Sequence, residues 1–92
     1  MIFIRLLSAF FGLFFRRDAQ AYVERKAEEH SEDLSVHESV VDLLKSLNQP
    51  SSMEARKALS IRFGHMTYSG TAAENIWLHG EIMRGVALRR FP

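Results

Sequence analysis

The chain contains no cysteine, which excludes disulfide bridges and thiolate chemistry but is compatible with either redox environment. No run of apolar and polar alternation is long enough to predict a strand, and nothing repeats except a helix-start pattern described below. A Gly-rich phosphate loop, a nucleophile elbow and a Ser/His/Asp order are all missing. His37 and Glu38 open like a metalloprotease helix, yet the second histidine of that motif would have to stand where Val41 is. His79 and Glu81 are two residues apart, a spacing that points them in different directions on a helix, and His65 falls in a loop. The acids crowd into Asp18–Asp42, a solvated stretch in which pKa values suited to acid–base catalysis are hard to create. These gaps predict a non-enzymatic protein that holds neither metal nor cofactor.

What is present is ordinary in amount and uneven in placement. Of 92 residues, 47% are hydrophobic and 25% charged, enough for one globular domain. A domain of that size buries only about 60% of its unfolded surface, so help from a membrane, a protein partner or self-association is expected. The net charge of +1 hides a dipolar layout. Met1–Arg17 has three arginines and no acid, Asp18–Lys45 has eight acids against three bases, and Ser46–Pro92 has six bases against three acids. A general nucleic-acid binder would be basic across the whole domain.

Met1–Phe15 is almost wholly apolar and holds five phenylalanines. Wound as a helix, it puts Arg5, Ser8, Ala9, Gly12 and Arg16 on one narrow strip. Ile2, Phe3, Leu6, Leu7, Phe10, Phe11, Leu13 and Phe14 cover the rest. That arrangement suits a helix lying at a membrane surface, with Arg5, Arg16 and Arg17 reaching lipid phosphates. Fifteen residues rise roughly 22 Å, short of the ~30 Å hydrocarbon core, so a full crossing is not expected. Two other readings compete: a helix buried against protein, and an export signal with Arg5 at its start and Ala19-Gln20-Ala21 as a small-x-small cleavage pattern. Against export, Arg16-Arg17-Asp18 crowds charge directly after the apolar run.

Residues 18–34 carry a thin stripe of Ala19, Tyr22, Val23, Ala27 and His30 among many charges, which predicts an acidic spacer, helical in part or flexible. From Ser35 the signals sharpen. Ser35 and Glu38 have capping-box spacing ahead of the stripe Val36, Val40, Leu43, Leu44 and Leu47, and Asn48-Gln49-Pro50 ends that run. Ser51 and Glu54 repeat the spacing ahead of Ala55, Ala58, Leu59 and Phe63, closed by Gly64. Thr71 and Glu74 repeat it again before a helix that is apolar on two sides, with Ala73, Ile76, Trp77, Gly80 and Met83 on one and Leu78, Ile82 and Val86 on another. A helix of that kind is expected to be wrapped by its neighbours.

The expected fold class is therefore all-α: a compact three-helix domain over residues 35–92, preceded by an amphipathic helix over 1–17 and the spacer over 18–34. Its expected core is Val40, Leu44, Leu47, Leu59, Phe63, Ile76, Trp77 and Met83, with the indole enclosed. Arg56, Lys57 and Arg62, joined by Arg84, Arg89 and Arg90, form the best basic surface. The loop of about seven residues ahead of Thr71 is longer than the three or four of a helix-turn-helix.

Several blocks in this region resemble a known family. They are Glu38-Ser39-Val40-Val41-Asp42-Leu43-Leu44-Lys45, then Ser51-Ser52-Met53-Glu54-Ala55-Arg56-Lys57-Ala58-Leu59, then Gly64, then Asn75-Ile76-Trp77-Leu78-His79 with Ile82-Met83. In that order they are similar to the core of the bacterial and phage family called domain of unknown function 3597, over Glu38 to Met83. The resemblance implies a small helical domain and carries no established activity.

The sequence thus points to a non-enzymatic adaptor or accessory module, anchored through Met1–Phe15 to a membrane or larger assembly and recognising a protein partner. The expected location is the cytoplasmic face of a bacterial inner membrane. Two alternatives are an exported or virion-borne module that binds peptidoglycan, in the periplasm or beyond, and nucleic-acid binding through the basic helix face.

Overall fold

The computed structural model describes residues 16–91, and among them every regular element is a helix. These are α1 over residues 16–28, α2 (Val40–Ser46), α3 (Met53–Arg62) and α4 (Ala72–Ala87). The protein is all-α, with four helices and no strand among the described residues. The membrane or partner contacts expected at Ile2, Phe3, Arg5, Leu6, Leu7, Phe10, Phe11, Leu13 and Phe14 lie outside them. Arg16 and Arg17, the first described residues of α1, are exposed.

Each later helix starts on a hydroxyl side chain that accepts a hydrogen bond from an otherwise unpartnered amide of the first turn. For α4 the expected box forms in full: Thr71 Oγ1 accepts from the Glu74 amide at 3.2 Å, and Glu74 Oε1 accepts from the Thr71 amide at 3.1 Å. For α3 the cap is Ser52, whose Oγ accepts from the Ala55 amide at 3.1 Å, one residue later than the Ser51–Glu54 pairing predicts. The Ser51 carbonyl instead accepts from Arg56 Nε at 3.2 Å. For α2 the shift is larger, because the cap is Ser39 and not Ser35. Residues 36–38 form a separate turn, closed by the Ser39 amide donating to the Ser35 carbonyl at 2.9 Å. That turn drops Val36 into the core and aims its carbonyl at α4.

Three helix ends close alike, by a residue with positive φ followed by a long backward hydrogen bond. After α2 it is Asn48 at φ 58, with the Gln49 amide on the Leu44 carbonyl at 2.9 Å. After α3 it is Gly64 at φ 95, with the His65 amide on the Ser60 carbonyl at 2.8 Å. After α4 it is Arg89 at φ 56, with the Arg90 amide on the Gly85 carbonyl at 2.7 Å. The last closure folds Phe91 back over the helix. A Cβ on Gly85 would stand 2.9 Å from the Phe91 Cβ, so the close approach requires glycine there.

The core gathers on one stripe of α4. Leu78 and Ile82 are fully buried and Val86 extends the line. α2 brings Val40, Leu43 and Leu44, with Leu47 at its C-cap, α1 brings Ala19 and Val23, and Val36 and Tyr68 come in from the connections. Leu59, Phe63, Trp77 and Met83 are half-buried against this group. A fully buried Leu, Ile or Val contributes about 1.5–3 kcal/mol, so the Leu78–Ile82 stripe and its α1 and α2 partners dominate stability.

Two expectations are corrected here. Ile76 is 74% exposed and takes no part in the core. Both apolar stripes of α4 look alike on a helical wheel, but α1 and α2 share the Leu78–Ile82–Val86 cluster. The opposite stripe, thinned by Ala73 and Gly80, offers little area to bury. Secondly, the spacer is not wholly a spacer: Val23 is fully buried and Ala19 nearly so. The Ala19, Val23, Ala27 spacing of four puts one small apolar line of α1 against the core, while Glu24, Arg25 and Glu28 stay in water.

Candidate interaction surface

The polar side chains around α4 hold segments together. Arg56 is half-buried, and its Nη1 donates to the Tyr68 hydroxyl at 3.2 Å and to Asn75 Oδ1 at 3.1 Å. The Tyr68 hydroxyl donates to the same Asn75 oxygen, and Asn75 Nδ2 donates to the Gly70 carbonyl at 3.4 Å. This bracket pins the 64–71 loop between α3 and α4. Arg56 is therefore withdrawn from the expected basic surface, because its guanidinium is spent on neutral acceptors inside the fold. Lys57, Arg62, Arg84, Arg89 and Arg90 remain exposed, with Arg84 at 3.7 Å from Glu81.

Glu74 is the second fastening point. Its carboxylate accepts from the Ser69 amide at 3.0 Å, the Ser69 hydroxyl at 3.0 Å, the Thr71 amide and hydroxyl at 3.1 and 3.0 Å, and His65 Nε2 at 2.7 Å. Donation from His65, followed by the Ser69 and Thr71 amides, holds its carboxyl well below the usual carboxylate range.

The histidines act the same way. His79 Nε2 donates to the Val36 carbonyl at 2.6 Å, His30 Nε2 to the Ser46 carbonyl at 3.3 Å, and His37 Nε2 to Glu24 Oε1 at 2.8 Å. Each joins segments far apart in the chain. Among the described residues no group of three or more His, Asp or Glu side chains is placed to hold a metal ion.

What stays open is the outer face of α4. Ala73, Ile76, Gly80 and Arg84 are exposed along it, Trp77, Met83 and Ala87 are half-buried at its edges, and Leu88 is 49% exposed at its end. Trp77 leans away from this face onto the loop, its ring meeting Phe63 edge-on at 6.5 Å and His65 at 5.3 Å. A Cβ built at Gly80 meets nothing within 4 Å, so the fold has no need of glycine there. Between the face and α1 runs an open groove of about 660 Å³, lined by Arg16, Ala19, Gln20, Met83, Ala87 and Leu88.

Sequence reasoning puts Val40, Leu44, Leu47, Leu59, Phe63, Trp77 and Met83 in one core with the indole enclosed; the structure buries the first three and packs the other four half-buried against the core's edge, so the indole is only partly covered, by Phe63 and His65 on the loop side. The same reasoning misses the Arg56–Tyr68–Asn75 bracket, for which the sequence holds no local signal. The exposure of Ile76 did leave one: small residues mark the stripe on which it sits, and bulky branched ones the stripe opposite.

The family model described as Domain of unknown function (DUF3597) matches residues 11–89. The chain belongs to that family. The match starts ahead of the described residues and ends beyond α4, wider than the Glu38–Met83 blocks. No curated protein and no solved structure matches the chain.

Proposed function

We propose that this member of the DUF3597 family is a non-enzymatic helical interaction module. It is tethered through Met1–Phe15 to a membrane surface or larger assembly and docks a protein through the outer face of α4. The observation that carries the reading is Ile76, 74% exposed in the middle of an apolar helix face that the core leaves uncovered. The ionisable groups near α4 support it from the other side, since Arg56, Glu74, His65 and His79 are each committed to bonds that hold the fold.

The tether rests on the apolar surplus of Met1–Phe15, in line with a cytoplasmic-face location in a bacterium. Among the described residues no helix is long and apolar enough to cross a membrane. Export followed by peptidoglycan binding has less in its favour, because cleavage after Ala21 would remove the buried Ala19 and split α1. A nucleic-acid role is weakened by the commitment of Arg56 inside the fold.

Two measurements on the full chain test the two halves. Co-sedimentation with vesicles of phosphatidylglycerol and phosphatidylethanolamine is expected for the natural sequence and lost in Phe10→Glu/Phe14→Glu; equal pelleting of both removes the tether. A photo-reactive side chain at position 76, used in cells, is expected to give a discrete adduct that the same group at position 57 does not. No adduct at 76 removes the docking face.

A further inference from the structure

Half of the arginine-rich surface gathers at one end of the fold. Asp18 and Ala19 line the same groove as Val86 and Ala87. Glu24, further along α1, holds His37, the neighbour of the Val36 carbonyl to which His79 donates. α1 therefore runs antiparallel along α4, and its first described residues lie beside the last turns of α4. Arg16 and Arg84 line one groove between the two helices, and Arg25 and Arg89 line another on the other side of α1. Arg17 and Arg90 stand next to them in the chain. All six are exposed, and among the described residues only Arg84 has a carboxylate within ion-pair distance, Glu81 at 3.7 Å. Acids crowd elsewhere, where Glu24, Glu28, Glu32, Asp33 and Glu38 border one cavity.

Apolar side chains stand among these arginines. Leu88 is 49% exposed at the end of α4, and Tyr22 is 40% exposed on α1. Such a mixture suits the boundary of a bilayer, where guanidiniums meet phosphates and apolar groups enter the headgroup layer. Arg89 adds an observation of its own. It takes the left-handed conformation, φ 56, at a position that Asn48 and Gly64 fill after α2 and α3. A Cβ is disfavoured there, and arginine lacks the short polar group that eases asparagine into it. The negative end of the α4 dipole attracts a cation, but Arg84 in the last turn already supplies one. The guanidinium at 89 is carried at a conformational cost that the fold does not recover.

Chain connectivity names the occupant. Phe15 is bonded to Arg16, so the proposed tether leaves the fold from this end and holds it near the surface that the tether enters. We infer that the α1–α4 end, through Arg84, Leu88, Arg89 and Arg90, lies against an anionic phospholipid surface beside the tether. This rests on the membrane reading of Met1–Phe15 and adds to it a second contact and an orientation. A single apolar anchor attaches reversibly, and a basic patch beside it makes the attachment stable. Each arginine within a Debye length of the surface strengthens binding about fivefold.

The test titrates full-length protein with vesicles of phosphatidylglycerol and phosphatidylethanolamine, and with phosphatidylcholine alone. Arg84→Gln/Arg89→Gly/Arg90→Gln alters only exposed side chains, and glycine suits the backbone at 89. This triple variant is expected to bind the anionic vesicles about 100-fold more weakly than the natural sequence. The natural sequence should bind phosphatidylcholine as poorly as the variant binds the anionic vesicles. Lys57→Gln/Arg62→Gln, on α3, should stay within about twofold of the natural sequence. Because the chain has no cysteine, a polarity-sensitive fluorophore can be placed at single sites. On anionic vesicles its emission is expected to shift to the blue at Leu88→Cys and to stay unchanged at Asp33→Cys.

Unchanged binding of the triple variant, an equal loss in Lys57→Gln/Arg62→Gln, or equal shifts at 88 and 33 overturns the inference. Loss of duplex DNA binding in the triple variant, with vesicle binding intact, overturns it in favour of a nucleic acid. Loss of vesicle binding in Phe10→Glu/Phe14→Glu alone removes the arginine contact and keeps the tether. Loss in the triple variant alone keeps the arginine contact and removes the tether.

Discussion

Replacing Asn75 by Ala removes the hub of the bracket that closes the 64–71 loop. Its Oδ1 accepts from Arg56 at 3.1 Å and from the Tyr68 hydroxyl, and its Nδ2 reaches the Gly70 carbonyl at 3.4 Å. The long last bond contributes little. A neutral hydrogen bond nets about 1 kcal/mol, one from a charged donor about 1.5–3 kcal/mol, and half-exposure moves the latter to the low end. Because Tyr68 is buried, its hydroxyl loses an acceptor that water cannot fully replace. The total is a loss of about 2–3 kcal/mol, against an overall stability of roughly 5–14 kcal/mol for a chain of this length. At about 4–8 °C per kcal/mol, the melting temperature falls by about 10–20 °C.

Urea unfolding followed by the fluorescence of Trp77, two residues along the same helix, reads the change directly. Tyr68→Phe should cost about 1 kcal/mol alone, and the double variant should cost less than the sum by a similar amount, since the two side chains share one bond. If Asn75→Ala leaves the urea midpoint within about 0.5 kcal/mol of the natural protein, an ordinary surface value, the bracket is solvated and the loop is held by Glu74 alone.

Val23→Ala should cost about 2 kcal/mol in the same assay, two methyl groups and the small void they leave; a loss under about 0.5 kcal/mol would return α1 to the role of a spacer. Ser60 Oγ is buried without a hydrogen-bond partner, so Ser60→Ala should raise stability by about 1 kcal/mol, and destabilisation would reveal a bond the hydroxyl makes. Because the folded Glu74 carboxyl titrates below its ordinary 4.5, the unfolded chain binds more protons in that region. Its contribution is complete above about pH 4.5 and fades as the pH falls further. The urea midpoint of the natural protein should therefore drop more steeply below pH 4.5 than that of Glu74→Gln, and parallel curves would refute the assignment.

The features legible in the sequence are those decided within a few residues. The Thr71–Glu74 box and the Gly64 stop involve only their own turns, and both stand where the pattern puts them. Ser35–Glu38 and Ser39–Asp42 offer the same spacing, and the choice falls to Ser39 because His79, forty-three residues from Val36, takes the Val36 carbonyl from the turn between them. Arg56 sits beside the exposed Lys57 in the sequence, yet its partners Tyr68 and Asn75 are supplied by another loop and another helix. The α1 stripe looked weak because it is made mostly of alanine, which is what lets that helix approach closely. Of the blocks that resemble the family, Ser52, Arg56, Asn75, Leu78 and His79 are used by the fold itself, so the resemblance they carry speaks of architecture. Ile76 is the most exposed of the large apolar block residues, ahead of Met53 at 42%.

The centre of the core stands near the end of the chain, and this orders events during synthesis. At 5–20 residues per second, Ile82 is added roughly 3–13 s after Phe15. Until then the leucines of α2 have no Leu78 or Ile82 to close on, and the greasy opening segment is already outside. On the proposed tether, whatever receives that segment would meet it before the folded body exists, so its delivery would precede folding and would not require the finished protein to open again.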